Sequence, residues 1–124
     1  MWVFQNGTGK LFSPSQNLVE VGYAGGDKGL HKEGINSPAY QYTKDIGPLP
    51  IGWYTFGPAV EGTHLGPLAI PLTPDPENDM RGRGGFYCHG DTTPSGRASE
   101  GCIIMSHSTR MSIAQNSDKR LQVV

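Results

Sequence analysis

The chain has 124 residues, the size of one domain with one core. Ten basic residues against eleven acidic ones leave a net charge of −1, so no global field favours nucleic acid or an acidic membrane as partner. Two cysteines exclude a disulfide framework, and no apolar run approaches bilayer length. The 18 Gly and 10 Pro separate short apolar runs, as in a turn-rich β protein.

Residues 2–13, WVFQNGTGKLFS, read as a hairpin, because apolar runs flank the turn pair Asn6-Gly7. NLVEVGYAG, 17–25, predicts a second strand with imperfect alternation. From 25 to 50 the chain is irregular, which suits a lid or a surface crossing. Within it GINSPAY predicts a short helix or turn. GPLPIGWYTFGPAV, 47–60, predicts a strand over Trp53–Phe56, with Trp53 and Tyr54 in the core. LGPLAIPL, 65–72, carries Pro67 and Pro71 and predicts an edge strand or a bulge. TPDPENDMRGRG, 73–84, reads as a polar loop. GGFYCHGD predicts a strand ending at His89, Ser106 or Ser108 caps a short helix, and KRLQVV is a closing strand. No internal repeat is present. About seven short strands and one late helix predict a mainly β single domain, a sandwich or a barrel-like sheet.

The chemistry concentrates in FYCHGDTTPSGRASEGCIIMS, residues 86–106. His89 ends a strand, and Cys102 follows Gly101 thirteen positions later. A cysteine nucleophile needs a thiolate, a neighbouring base and a third group to orient that base. Gly101 lets the backbone turn tightly and lets a substrate carbonyl approach. The N–H groups near Gly101 and Cys102 are candidate oxyanion donors. A carbonyl near Gly90 is a candidate to fix the imidazole tautomer.

Other readings stand beside this one. Cys102 and His89 also fit as ordinary buried residues. Cys88, His89, Cys102 and His107 have the residue types for zinc, but adjacent strand residues face opposite ways and no C-x₂₋₄-C pair exists. Cys88 is expected in the core; a disulfide from it to Cys102 would silence the nucleophile. Arg97 and Arg110 are candidates for substrate carboxylates, or else surface residues. Asp91 is a candidate for a substrate amine, or else a turn residue. His31 and His64 receive no role.

The order strand, His-Gly, polar loop, Ser-x-Gly-Cys-Ile, helix, strand resembles the L,D-transpeptidase catalytic domain. The matching residues are His89-Gly90 and Ser99-Glu100-Gly101-Cys102-Ile103. IGPLPIGWYTF resembles that family's proline and Gly-x-Tyr strand, and the likeness covers roughly residues 40–124, with the catalytic half at about 47–124. The loop from His to Cys is short for the family. Glu100 stands where most members have a second His, and Ile104 where many have Arg. These shifts resemble compact type VI secretion effectors and related phage-linked proteins.

The resemblance implies an L,D-transpeptidase-like β fold without cofactor or metal. It implies that Cys102 attacks the carbonyl of the L-centre of diaminopimelate in a peptidoglycan tetrapeptide stem, releasing D-Ala. His89 would serve as base and then acid, the Gly90 carbonyl would orient it, and Ser99 would support the loop. It also implies delivery into a target periplasm without a signal peptide, none being evident here, and a cognate immunity protein. The rival outside enzymology is a non-catalytic cell-wall-binding or phage structural module on the same fold; a zinc-stabilised domain is the third reading.

Overall fold

The computed structural model describes residues 1–124. Nine strands form one nearly closed, barrel-like sheet. They are β1 (Trp2–Phe4), β2 (Lys10–Phe12), β3 (Leu18–Val21), β4 (Tyr23–Ala24), β5 (Gly52–Phe56), β6 (Ile70–Pro74), β7 (Tyr87–His89), β8 (Ile103–Ile104) and β9 (Arg120–Val123). Their order is β3-β2-β1-β9-β5-β6-β7-β8-β4. The pairs β1/β9 and β7/β8 are parallel and the others antiparallel.

The expected hairpin forms, with Val3 opposite Phe12 and Phe4 opposite Leu11. Its loop is longer than an Asn-Gly turn. The N–H of Gly9 returns to the Gln5 carbonyl at 2.8 Å, and the positive φ of 77° belongs to Gly9. Asn6 is fully buried instead, and its Nδ2 donates to the Leu49 carbonyl at 2.8 Å. The strand expected over 17–25 is split at Gly22. β3 pairs with β2 and β4 with β8, so one bent run supplies both edges of the sheet. Only a glycine fits the bend, since a Cβ there would stand 2.1 Å from the Ile104 carbonyl oxygen.

The 25–50 region holds three 3₁₀ turns, at Asp27–Gly29, Lys32–Gly34 and Pro38–Tyr40, the last within GINSPAY. It is tied down by main-chain bonds: Gly26 N–H to Ile46, Lys28 N–H to Ser99 and Leu49 N–H to Gly101, at 2.8, 3.0 and 3.0 Å. A surface crossing fits this better than a free lid.

β5 alternates as its residues dictate. Tyr54 and Phe56 face the core, and the Tyr54 hydroxyl donates to the Pro50 carbonyl at 2.6 Å. Trp53 points outward at 36 % exposure, with the Arg120 guanidinium 5.4 Å from its ring, so only Tyr54 of the expected core pair is inside. β6 is not an edge but lies between β5 and β7. Pro71 is tolerated because its missing N–H falls opposite Gly57, where the β5/β6 ladder ends; Gly57 donates to the Pro71 carbonyl at 2.8 Å.

The single α-helix, α1 (His107–Gln115), starts at Ser106, whose Oγ accepts from the Thr109 N–H at 3.4 Å. Lys119 Nζ donates to the Ile113 and Ala114 carbonyls at the other end, both at 2.9 Å. Ile113 joins Trp2, Phe4, Tyr54, Leu121 and Val123 in the core. Each such side chain contributes about 1.5–3 kcal/mol by burial. No helix is long and apolar enough to cross a membrane.

Candidate active site

β7 and β8 run parallel, with Cys88 opposite Ile103 and His89 opposite Ile104. Parallel neighbours need a crossover of about a dozen residues. The thirteen-position spacing from His89 to Cys102 is that crossover. Alternation sends Cys88 and Ile103, each 1 % exposed, into the core. His89 and Ile104 alternate to the other side. Cys102 stands one residue before β8, and the Tyr87 N–H donates to its Sγ at 3.3 Å. The sulfur therefore lies against the β7 main chain two residues before His89.

His89 is buried, and its Nδ1 meets the Gly90 carbonyl at 2.9 Å. With the proton on Nδ1, Nε2 keeps its lone pair for a substrate or thiol proton. Burial holds the imidazole below its ordinary pKa, and the Arg110 charge adds to this, while the Gly90 bond opposes it. Burial likewise raises the Cys102 thiol, with Glu100 adding to the rise and the Tyr87 N–H and Arg83 countering it. Both shifts favour the neutral forms, a thiol at Cys102 and an imidazole at His89. Cys88 is fully enclosed and pushed up to about 12, which makes it inert.

Ser99 fastens the nucleophile turn. Its Oγ accepts from the Gly25 and Gly101 N–H groups at 2.8 and 3.0 Å and donates to the Cys102 carbonyl at 2.6 Å. The Gly101 N–H is therefore engaged, which leaves the Cys102 N–H as the remaining candidate of the two expected oxyanion donors. Gly101 has a φ of 132°, and a Cβ there would stand 2.6 Å from Arg83 Nη2 and from Phe86 Cε1. Gly90 packs equally closely, its added Cβ falling 2.8 Å from Arg110 Nη2.

Two cavities flank the pair. One of about 240 Å³ is lined by Cys102, Tyr87, Asp45 and Glu100. The other, of about 420 Å³, is lined by His89, Gly90, Asp91, Lys28 and Arg97. His64 and Leu65, at the tip of a hairpin bridged at Val60–Ala69 and Thr63–Gly66, line both.

Arg97 is exposed on the second cavity, where a substrate carboxylate has access. Asp91 accepts from the Tyr23 hydroxyl and from the Thr92 and Gly96 N–H groups, so it closes the turn after the histidine. Arg110 departs from expectation. It is 6 % exposed; its Nε donates to the Met105 and Ser106 carbonyls, and its Nη1 to those of Pro67 and Leu68. Its bonded Nε and Nη1 brace the fold behind His89, and its edge lines a cavity with Tyr23 and Asp91. The residues weighed for zinc do not meet at one point: Cys88 is enclosed in the core, His107 is exposed, and their ligand atoms form no cluster. Asp27, Asp45 and Glu100 do bring carboxylate oxygens within 4.8 Å of one another, with Lys28 3.1 Å from Glu100 and the His31 Nδ1 2.8 Å from Asp27.

Sequence reading passed over His64 and Arg83. Both sit in loops without periodicity. The one signal for Arg83 was its place among the glycines of RGRGG just before the histidine strand.

Among curated proteins no relative matches the chain. The Tlde1 domain model matches residues 22–124, from the bend at Gly22 through β9. The chain therefore belongs to the Tlde1 domain family, the L,D-transpeptidase-like effectors of type VI secretion.

Proposed function

We propose that the protein is a cysteine-dependent L,D-carboxypeptidase and L,D-transpeptidase of peptidoglycan tetrapeptide stems. The observation that carries this is the parallel pairing of β7 with β8, which brings Cys102 Sγ to the Tyr87 N–H, two residues before a buried His89 whose Nδ1 meets the Gly90 carbonyl. Cys102 Sγ bonds to the carbonyl carbon of the L-centre of diaminopimelate while His89 Nε2 takes the thiol proton. The amide C–N bond then breaks, and His89 returns that proton to the departing D-Ala amine. Water, a free D-amino acid or another stem amine attacks the thioester next and frees the cysteine. These routes give trimming, exchange and cross-linking respectively. Gly101 admits the substrate carbonyl and Ser99 keeps the turn in register. Arg97 is the remaining candidate for a substrate carboxylate. Membership of the effector family supports action in the periplasm of a target cell and a cognate immunity protein in the producer.

The test is a muropeptide digest. Wild type and Cys102→Ala are each mixed with disaccharide-tetrapeptide and a D-amino acid, and the products are read by mass spectrometry. Wild type should release or exchange the terminal D-Ala, and the variant should fall to background, a loss of at least about 10³-fold. Equal activity in both would overturn the mechanism. No activity in wild type would leave a binding module on this fold.

A further inference from the structure

Arg83 lies in the loop before β7, among the glycines of 81–85, yet it is half-buried. Nη1 donates to the carbonyls of Gln41 and Pro48 at 2.6 and 2.7 Å. Nη2 donates to those of Gly47 and Glu100 at 3.1 and 3.0 Å. Four acceptors engage the four Nη protons. The guanidinium also lies 5.2 Å from the centre of the Phe86 ring. The 41–48 loop is thereby strapped to the residue two places ahead of Cys102. The strap passes where a Gly101 side chain would stand, 2.6 Å from Nη2.

The groups bearing on Cys102 are few. Glu100, Asp45 and His64 line its cavity with Tyr87, His89 lies two residues beyond Tyr87 on β7, Arg83 lies behind Gly101, and Lys28 stands 3.1 Å from Glu100. Of the two cations, Arg83 is the one packed against the Gly101 turn itself. Glu100 disfavours a negative sulfur, and Arg83 opposes that effect.

We propose that Arg83 is a positioning residue for the nucleophile: it fixes the Glu100–Gly101 turn against the 41–48 loop and supplies the positive charge that makes a thiolate at Cys102 accessible in a half-buried, carboxylate-lined cavity. This rests on the reading of Cys102 as nucleophile. Lysine would keep the charge but has no planar fork to span four carbonyls. Methionine would remove both functions at similar length.

The test follows alkylation of Cys102 by iodoacetamide from about pH 6 to about pH 11, with the modified residue located by mass spectrometry. Wild type, Arg83→Lys and Arg83→Met are compared, and D-Ala release is measured in parallel. Arg83→Met should shift the alkylation midpoint alkaline by about one unit, slowing labelling near neutrality about tenfold. Arg83→Lys should keep the wild-type midpoint but release D-Ala about tenfold more slowly. A purely structural arginine would change the folded fraction and leave the midpoint alone. A wild-type midpoint in folded Arg83→Met overturns the proposal. If that variant does not fold, Arg83→Lys decides: wild-type midpoint and wild-type turnover together, or an alkaline midpoint despite the retained charge, overturn it. Shifted midpoints in a protein whose wild type never releases D-Ala would uphold Arg83 and remove the substrate assignment instead.

Discussion

The β1/β9/β5 side of the sheet and the β7/β8 side are built by different means. On the first, β5 and β9 pair over four positions, and Tyr54, Phe56, Leu121 and Val123 lock the inner face. On the second, β7 and β8 pair over two positions only. What a short ladder lacks is supplied by side chains that grip main-chain groups: Ser99 on the nucleophile turn, Arg83 on four carbonyls and Arg110 on four more. One side is held by apolar burial, which is non-directional. The other is held by polar contacts, which fix angles and distances. The proposed role of Cys102 as nucleophile calls for the second kind of support.

Three substitutions test this division. His89→Gln should lower D-Ala release by about 10²–10⁴-fold, read by the muropeptide digest, with little change in folded fraction. Its pH behaviour gives a second check. Burial holds His89 below its ordinary pKa, so the folded form stays neutral as pH falls past the point where the unfolded chain gains that proton. Wild-type stability should therefore decline as pH drops below about 6.5, and the Gln variant should lose that part of the slope in urea melts at several pH values. Leu121→Ala, on the ladder side, should cost about 2–5 kcal/mol in urea unfolding while activity per folded molecule stays at the wild-type level. An equal fall in both quantities would mean that the two sides are not separable. Ser99→Ala should be smaller in stability, about 1–3 kcal/mol, because the Gly25 and Gly101 N–H groups lose an acceptor. It should still slow D-Ala release about tenfold, the opposite pattern to Leu121→Ala.

Much of the frame was legible in the sequence. The N-terminal hairpin, the Trp53–Phe56 strand, the strand ending at His89, the Ser106 cap and the final strand follow from residue type and local punctuation. Of the two readings for the Pro71 strand, an edge or a bulge, the edge does not hold, because proline's cost depends on which side of the ladder it faces, and that is set by Gly57, fourteen residues upstream. Asn6-Gly7 has the chemistry of a tight turn, but the buried bond to Leu49 redirects Asn6. The His-Gly and Ser-x-Gly-Cys pattern names the candidate pair, yet not the parallel pairing of β7 with β8 that the thirteen-position spacing spans. Arg83 and Arg110 were the least visible. Their acceptors lie 17 to 42 residues away for Arg83 and as far as 43 for Arg110, and they are carbonyls, which every residue carries.

The parallel pairing of β1 with β9 also has a consequence for how fast the chain reaches this state. Trp2 meets the Asp118 carbonyl 116 positions along the sequence, and Tyr23 of β4 meets Ile104 of β8. These ladders form only after long loops have closed, a cost in chain entropy that comes before any burial offsets it. Folding should fall in the millisecond-to-second range of non-local β proteins rather than the microsecond range of helical ones. Until the last strand is available, β1 has no partner on its β9 side and the aromatic core stands open to water.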